Sequence, residues 1–311
     1  MTKPIEIRDL AKHFRSGFLI REIRALESVS LDVNQGEVFG FLGPNGAGKT
    51  TTIKILMGLT RPSEGTATVL GESPSSARVK RRLGFLPEQP YFYDYLSARE
   101  ILELNARLCG ITGREMKQRV DLMLQTVGLT GSQHGRLGKY SRGMLQRVGV
   151  AQALLHDPEL VILDEPMGGL DPIGRKEFRD IILSLRDRHK TVFFSTHILQ
   201  DVEMVCDRVA IVVAGRTVSI GRLDEIVSTR LDTIELTMRN VPLPMLQASD
   251  IAGMRIMQRE DKLLVTVDSE EAADKVLKVL AQNHGQLVAM IPRTHTLEDF
   301  FMTQVRAQKP Q

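Results

Sequence analysis

The amino-acid sequence predicts an α/β fold built on a mostly parallel sheet, with a small α+β unit after it. Short apolar segments alternate with helical patterns over the first two thirds of the chain, which is typical of βα repeats. Residues 160–163 are apolar without interruption, as expected for a parallel strand covered on both faces. Beyond Gly221 the pattern changes to alternation at Ile234, Leu236 and Met238. This change in periodicity predicts a second, smaller domain.

The first elements follow from local periodicity. Residues 5–10 and 25–33 alternate between apolar and polar side chains and therefore predict strands. Residues 37–42 predict a buried strand, and residues 51–57 predict an apolar helix directly after a glycine-rich turn. Between residues 97 and 129 apolar side chains recur at helical spacing, which predicts two helices joined at "GITG".

The alternation continues along the middle of the chain. A polar turn at "YSRG" precedes an apolar helix, which leads into the apolar strand at residues 160–163. A helix at 175–189 and a strand at 191–195 repeat the βα order, and a further strand at 208–213 follows a short helix. This order predicts a parallel sheet flanked by helices.

The chain is predicted to contain two domains, a main domain over residues 1–229, with a helical part at about 93–150, and an accessory domain over residues 230–311. In the latter, two apolar segments flank "REDK" as in a hairpin, and Asp268 with Glu271 resembles a capping box that opens a helix. A strand and a last helix complete this unit. Because it contains no catalytic constellation, we expect a regulatory or dimer-stabilising role.

Composition limits the class of protein. The chain has 311 residues, of which 42% are hydrophobic and 25% charged, as in globular proteins. A formal net charge of +3 is too small to indicate a nucleic-acid partner, and none is expected. Cys109 and Cys206 are far apart in the sequence, so we expect two buried thiols in a reducing compartment.

The first residues of the sequence predict no targeting signal. Its first ten residues, MTKPIEIRDL, lack an apolar core, and no stretch of the sequence approaches the length that crosses a bilayer. We therefore expect a chain that is soluble by itself, without signal peptide or transmembrane helix, and that reaches a membrane only by docking on a membrane protein.

The segment "GPNGAGKTT" predicts a phosphate-binding loop. It lies between a predicted strand and a predicted helix and matches G-x-x-x-x-G-K-[ST]. Glycines allow the backbone N–H groups to approach an anion, a lysine adds a cation at the outer phosphates, and the hydroxyl of Thr50 suits a magnesium ion. The predicted nucleotide-binding residues here are Gly43, Pro44, Asn45, Gly46, Ala47, Gly48, Lys49, Thr50 and Thr51.

A phosphate loop alone is compatible with kinases, GTPases, helicases and transporters. A pair of acidic residues reduces the number of compatible protein classes. Asp164 ends the apolar strand and Glu165 follows it, so one carboxylate can hold magnesium while the other reaches the attacking water. His197 follows the strand "TVFFST" and is expected at the same edge of the sheet, near the γ-phosphate. Ser141 and Gly143 precede a helix whose N-terminal dipole suits phosphate.

The order of these motifs resembles that of the nucleotide-binding subunit of an ATP-binding-cassette (ABC) transporter. "GPNGAGKTT" is similar to the Walker A motif, "YSRGMLQR" to the family signature and "VILDEP" to Walker B. "GGLDP" resembles the D-loop, "STH" the switch histidine, and "LPEQP" the loop that couples the site to the membrane subunit. The resemblance extends from Ile5 to about Gly221.

The resemblance implies further site residues. Phe14 falls where an aromatic ring stacks on adenine, although a phenylalanine of the core is an equal alternative. Glu88 stands where the family usually has glutamine and Gln89 is next to it, so either is a candidate for the magnesium site. "YSRGM", "LPE" and the terminal "TLEDFF" resemble the subfamily that serves multidrug, antibiotic, sodium and polysaccharide exporters.

The resemblance implies an ATPase with Mg²⁺ as cofactor that works on the cytoplasmic face of a membrane. Lys49 would bind phosphates, Glu165 would polarise water and His197 would orient the γ-phosphate. The implied partners are a polytopic permease and a second copy of the chain, arranged head to tail. The transported substrate is not encoded in any motif.

Two other classes compete with this interpretation. A soluble cassette protein acting on nucleic acid or ribosomes usually carries two cassettes, a long coiled coil or a zinc insertion, and the sequence has one Walker A motif and no sustained heptads. A GTPase needs an N-K-x-D motif, which is absent, and a small-molecule kinase does not explain "YSRGM" followed by "LDEP".

Overall fold

The computed structural model describes residues 3–16, 21–226, 231–247, 249, 251–259, 261–294 and 297–307. The chain folds into two compact units, Met1–Leu223 with Gln304–Gln311, and Asp224–Thr303. The predicted domain boundary at 229/230 lies outside the described residues.

Nine strands among the described residues form one sheet in the order β4-β1-β2-β9-β8-β3-β7-β6-β5. The five strands from β8 to β5 pair in parallel, whereas β1 pairs antiparallel with β2 and with β4. This mixed, mostly parallel core confirms the predicted α/β class. The strands are β1 (Ile5–Ser16), β2 (Arg21–Val33), β3 (Val38–Leu42), β4 (Glu64–Val69), β5 (Leu83–Leu86), β6 (Leu160–Asp164), β7 (Thr191–Thr196), β8 (Arg208–Val213) and β9 (Arg216–Gly221).

Helices connect the strands of this first unit. In chain order they are α1 (Lys49–Leu56), α2 (Ala77–Arg81), α3 (Ala98–Leu108), α4 (Gly113–Thr126), α5 (Arg142–Leu154), α6 (Pro172–Asp187) and α7 (Leu199–Val205). Two short 3₁₀ helices, Thr130–Ser132 and Leu137–Lys139, lie between α4 and α5. The two helices predicted on either side of "GITG" are α3 and α4.

The apolar strands are buried on both faces because their alternate side chains enter two different cores. In β6, Val161 and Leu163 belong to a cluster with residues of α3, α4, α5 and α6. Leu160 and Ile162 of the same strand belong to a second cluster with residues of α1 and β1. The continuous apolar pattern of β6 therefore has the expected cause.

The two cysteines differ in exposure. Cys109 at the C-terminal end of α3 is exposed, so the expectation that it is buried is wrong. Cys206 packs against the first apolar cluster, and a Cβ built at Gly40 would lie 2.7 Å from its Sγ atom. The helical period of α3 did not predict this difference, because Cys109 lies where the helix ends.

His156 lies between α5 and β6 and is expected to make the stability of the first unit depend on pH. Its Nε2–H donates to the carbonyl oxygen of Leu83 at 3.2 Å, and burial lowers the pKa of the imidazole, with Arg119 acting in the same direction. An unfolded chain therefore binds a proton here more readily than the folded one. The contribution of the neutral His156 side chain to the unfolding free energy is expected to be fully present above the unfolded pKa near 6.5. This contribution should decrease as the pH falls below that value.

Replacing His156 by Gln keeps a donor for Leu83 but removes the titration. Urea unfolding at pH 8 and at pH 5.5 is expected to show a smaller loss of unfolding free energy for His156→Gln than for the unchanged chain. Equal losses in the two proteins would show that His156 does not cause the pH dependence.

The second unit contains an antiparallel four-stranded sheet in the order β11-β12-β10-β13 among its described residues. Ile234, Leu236 and Met238 are all buried in its core, as their alternation predicts. The remaining elements are α8 (Leu223–Ile226), β10 (Leu231–Arg239), α9 (Leu243–Gln247), β11 (Arg255–Arg259), β12 (Lys262–Val267), α10 (Glu270–Gln282), β13 (Gln286–Thr294) and α11 (Leu297–Ala307). Leu223 of α8 and residues 304–307 of α11 belong to the first unit.

The start of α10 differs from the prediction. Ser269 is the N-cap, and its side chain accepts a hydrogen bond from the Ala272 N–H at 3.1 Å. The predicted capping box of Asp268 and Glu271 is therefore wrong, because the N-cap lies one residue later and the third helical residue is then Ala272. The sequence "DSEE" offers two acceptable caps, and both have the residue types that helix starts favour.

In the part of the chain that the structure describes, no helix has the length and apolar character needed to cross a membrane.

Candidate active site

The glycine-rich loop connects the buried strand β3 to helix α1. Gly48 is the N-cap of α1 with a φ of 99°, a left-handed conformation that side chains disfavour. A Cβ at this position would lie 2.4 Å from Leu26 Cδ2 and 2.7 Å from the Ala25 carbonyl oxygen. Glycine is therefore required here by conformation and by the close approach of β2.

Lys49 is the first residue of α1 and its ammonium group lies inside the loop. Its Nζ donates to the carbonyl oxygens of Gly43 and Pro44 at 2.7 and 3.2 Å. The same atom lies 3.1 Å from Glu165 Oε1. Since an ammonium group has three donors, a phosphate oxygen that binds Lys49 must replace one of these acceptors.

Glu165 brings the predicted catalytic residues together. It follows β6 with a φ of 47°, an unusual backbone conformation that a residue other than glycine adopts at some energetic cost. Its Oε2 atom accepts from His197 Nδ1 at 2.9 Å, while Oε1 contacts Lys49. Because a carboxylate only accepts, the hydrogen of this pair is on Nδ1. Glu165 is 8% exposed and Lys49 6%, so the ion pair is largely shielded from water.

Asp164 lies next to the hydroxyl of Thr50. Its Oδ1 atom accepts from Ser195 Oγ at 2.6 Å and from Thr50 Oγ1 at 3.4 Å. Ser195 also accepts from the Glu165 N–H at 2.9 Å, so it holds both acidic residues in place. Burial raises the pKa of the Asp164 carboxyl, although the hydrogen bonds from Ser195 and Thr50 oppose this shift.

The residues at this point fit a magnesium ion. A hydroxyl and a carboxylate are oxygen ligands of the kind that Mg²⁺ prefers, and they are in contact with each other. A nearby cation would also favour the ionised form of a carboxylate that burial disfavours. The predicted ligands Glu88 and Gln89 are both exposed, and Glu88 faces the cavity described next.

A cavity of about 580 Å³ adjoins these groups. Glu165, His197 and Glu88 contribute to its lining from the loops after β6, β7 and β5. The phosphate-loop residues that line it are Asn45, Gly46, Gly48, Lys49, Thr50 and Thr51. Gly43, Pro44 and Ala47 do not line it, and the first two act through the carbonyl groups that hold Lys49.

The sheet explains why residues distant in sequence meet here. Leu42 at the end of β3 pairs with Thr196 in β7, and Asp164 at the end of β6 pairs with Ser195. Parallel strands therefore end together, and the residues that follow them share one edge. Among the described residues, the predicted Lys49, Asp164, Glu165 and His197 all lie at this edge.

Ser141 and Gly143 lie apart from this cavity in their own chain. Ser141 is the N-cap of α5 and accepts from the Met144 N–H at 3.3 Å. Both residues are absent from the cavity lining, and Ser141 is exposed. Their nucleotide contact stays a prediction.

Phe14 is exposed in β1, with 41% of its surface accessible, so it is not a residue of the core. The ammonium group of Lys12 lies 5.0 Å from the centre of its ring. Phe14 pairs with Ile23 of β2, and Ile23 lines the cavity although Phe14 itself does not. The adenine-stacking role stays a prediction.

Several residues near the site have no signal in the sequence. Ile23, Arg24 and Ala25 line the cavity from β2, where the sequence shows only strand alternation. Ser195 belongs to the "STH" motif of the sequence, but its contacts with Asp164 and Glu165 depend on strand pairing. Arg142 reaches the cavity from α5, which no pattern of residue spacing predicts.

Known proteins with similar sequences belong to one family. The family model described as "ABC transporter" matches residues 26–168. An ABC transporter ATP-binding protein of Nostoc sp. is 42% identical, with 96% of this chain and 89% of that protein covered. The bacitracin transport ATP-binding protein BcrA of Bacillus licheniformis is 36% identical, with 97% of each chain covered.

A solved structure has the same fold. The ATP-binding subunit of an ABC transporter superposes with a TM-score of 0.64 at 32% identity, over 72% of this chain and 92% of that subunit. The part of this chain without a counterpart there exceeds a quarter of its length, whereas both curated relatives extend over almost all of it.

Proposed function

We propose, since this chain belongs to the family of ABC transporter ATP-binding proteins, that it hydrolyses ATP in the cavity beside Lys49 and Glu165 to drive export through a separate permease. One observation carries the proposal. Glu165 contacts Lys49 of the phosphate loop and His197 after β7 at the same time. A single carboxylate thus connects a phosphate-binding cation with a second group able to contact the γ-phosphate.

Each residue of the site has a separate role in the proposed hydrolysis of ATP. Lys49 and the loop amides bind the β- and γ-phosphates, because a helix N-terminus and an ammonium group both attract them. Glu165 accepts a hydrogen bond from the attacking water and holds it in line, and His197 fixes the γ-phosphate. Thr50 and Asp164 would hold Mg²⁺, which supplies neutralisation of the phosphate charge. Positioning and charge stabilisation provide most of the rate in such a reaction.

We also propose that two copies act together, head to tail. Ser141 is the N-cap of α5 and Gly143 lies in the first turn of that helix, where the amides suit phosphate, yet neither lines the cavity of its own subunit. A second subunit facing the cavity would place these residues over the nucleotide. Closure on ATP and opening after hydrolysis would then be the movement passed to the permease.

The permease contact is proposed at the segment after the coupling loop. Tyr91, Tyr93 and Tyr95 are 91%, 51% and 67% exposed, and they follow Glu88 of the cavity by a few residues. Exposed tyrosines in a group are typical of protein interfaces. A partner that binds to these tyrosines, on the cytoplasmic face of the membrane, would be affected by a change in the position of Glu88. The name of the bacitracin relative supports an antibiotic-type export substrate.

The experiment searches the genes adjacent to that of this chain for one that encodes a polytopic membrane protein, and co-expresses that protein with the chain. We expect a stable complex whose ATP hydrolysis differs from that of the chain alone. Tyr91→Ala with Tyr93→Ala is expected to weaken association by about tenfold or more, since buried interface tyrosines often contribute about 1–2 kcal/mol or more. Hydrolysis by the uncomplexed chain should not change.

Leu59→Ala provides the matched control, because Leu59 is also an exposed apolar residue, 65% accessible, but follows α1. It should not affect the complex. Equal weakening by both variants would move the contact away from the tyrosines. A chain that hydrolyses ATP but forms no complex with any membrane protein would contradict the transporter proposal.

A further inference from the structure

We infer that Arg142 is a further catalytic residue, a cation that binds the outer phosphates of the nucleotide held by its own subunit. Arg142 lies between Ser141 and Gly143 in the signature segment. It is the first residue of α5, and its side chain lines the cavity that Lys49 and Glu165 also line. The inference rests on the proposed nucleotide site and adds a residue to it.

The arginine is directed towards the cavity by a specific contact. Its guanidinium group lies against Gly169, where a Cβ would be 2.7 Å from Nη1 and 2.8 Å from Cζ. Gly169 has a φ of 71°, so both the conformation and the contact require glycine. Any other residue at 169 would force the guanidinium to move.

Gly169 belongs to the turn that follows Glu165, so Arg142 contacts the same turn that begins at Glu165. The Gly168 N–H donates to the carbonyl oxygen of Glu165 at 3.0 Å. Gly168 and Gly169 line the same cavity as Glu165. A chain of contacts thus runs from Arg142 through two glycines to Glu165 and then to Lys49. Neither glycine has a side chain that would separate the guanidinium from a phosphate.

The charged groups of the cavity leave the guanidinium group of Arg142 available to bind an anion. Lys49 is paired with Glu165 at 3.1 Å and also donates to two carbonyl groups. No ion pair of Arg142 with a carboxylate occurs among the residues that the structure describes, although Arg147 of the same helix is paired with Glu177. An arginine that is exposed to an anion-binding cavity and lacks a carboxylate partner is suited to phosphate, which its planar fork binds through two hydrogen bonds.

Arg142 thereby gives the signature turn two roles. In the proposed dimer, Ser141 and Gly143 face the nucleotide of the partner subunit. The side chain of Arg142 instead extends to the cavity of its own subunit, since it lies against Gly169 of that subunit. One turn would therefore contact both nucleotides.

The test compares ATP with ADP, which differ by the γ-phosphate. Binding of MgATP and MgADP is measured by calorimetry at a concentration where light scattering shows a monomer. Arg142→Gln is expected to weaken MgATP binding by about tenfold, as expected for a lost charge-assisted bidentate contact, and MgADP binding by less than about twofold. The MgATP affinity of Arg142→Lys should lie between that of the unchanged chain and that of Arg142→Gln, because lysine keeps the charge but loses the planar fork of the guanidinium group.

Arg147→Gln is the matched control, because it removes one positive charge from the same helix at a residue that pairs with Glu177 and does not line the cavity. It should leave the ratio of the two affinities unchanged. Thermal unfolding of each variant verifies that the fold is intact.

Three results would overturn the inference: equal weakening of both nucleotides by Arg142→Gln, no weakening at all, or weakening that appears only at concentrations where the chain is a dimer. The last would assign Arg142 to the nucleotide of the partner. A failure of the proposed nucleotide site can be distinguished from a failure of the Arg142 inference. In the first case the unchanged chain would not bind MgATP, or Lys49→Gln would bind MgATP as tightly as the unchanged chain does.

Discussion

Glu165→Gln is expected to abolish steady-state ATP hydrolysis while ATP binding persists. Glutamine keeps the shape of glutamate but cannot take a proton from, or polarise, the attacking water. Loss of a positioned base usually costs about 10² to 10⁴ in rate. Removal of the carboxylate also releases Lys49 from its ion pair, at 3.1 Å in this structure, so ATP should bind at least as tightly as before.

Two measurements check this expectation. Phosphate release gives the turnover rate, and retention of radiolabelled ATP on a sizing column gives the trapped dimer that slow hydrolysis should produce. Glu203→Gln is the control, because Glu203 is exposed on α7 and does not line the cavity. Near-normal turnover by Glu165→Gln would exclude Glu165 as the group that activates water.

Two inactive variants, Lys49→Ala and Ser141→Arg, are expected to recover activity when they are mixed. If Ser141 of one subunit covers the nucleotide held by Lys49 of the other, a mixed dimer has one site with both lesions and one intact site. If both residues act on the same nucleotide within one subunit, every site keeps one lesion. The structure supports the first arrangement, because Ser141 does not line the cavity of its own chain.

Hydrolysis and nucleotide trapping are both measured after mixing, and exchange of subunits is verified with two differently labelled preparations. Either signal should return. Weak hydrolysis alone would not decide against the head-to-tail dimer, because closure can require two intact sites. Verified exchange with no recovery of either signal would contradict it.

The predictions that succeeded concern segments with a strong local signal. The turn between β3 and α1 is recognisable because its glycines mark the point where the chain leaves a strand and begins a helix. The strand β6 is recognisable because burial on both faces leaves no polar position within it before the terminal Asp164. Short or partly exposed strands such as β5 and β9 lack such a pattern, and the sequence did not predict them.

Local patterns were also insufficient where two residues compete for one role. Ser269 caps α10 although Asp268 has the same preference, because a shift of one residue changes which backbone N–H groups are available. For Phe14 the sequence favoured a core residue and an adenine-stacking residue equally, and its exposure excludes the first. Its exposure depends on the neighbours of β1 in the sheet, which are β2 and β4.

By itself, the sequence determined the fold class, the order of the motifs and the identity of the acidic pair, since each depends on residue types within a short segment. Tertiary structure alone decided that Glu165 bridges Lys49 and His197, that Ser195 holds both acids, and that Arg142 lies against Gly169. These contacts join segments that are distant in sequence, and they depend on which strands lie side by side. Strand order is set by the packing of whole faces, so no short segment encodes it.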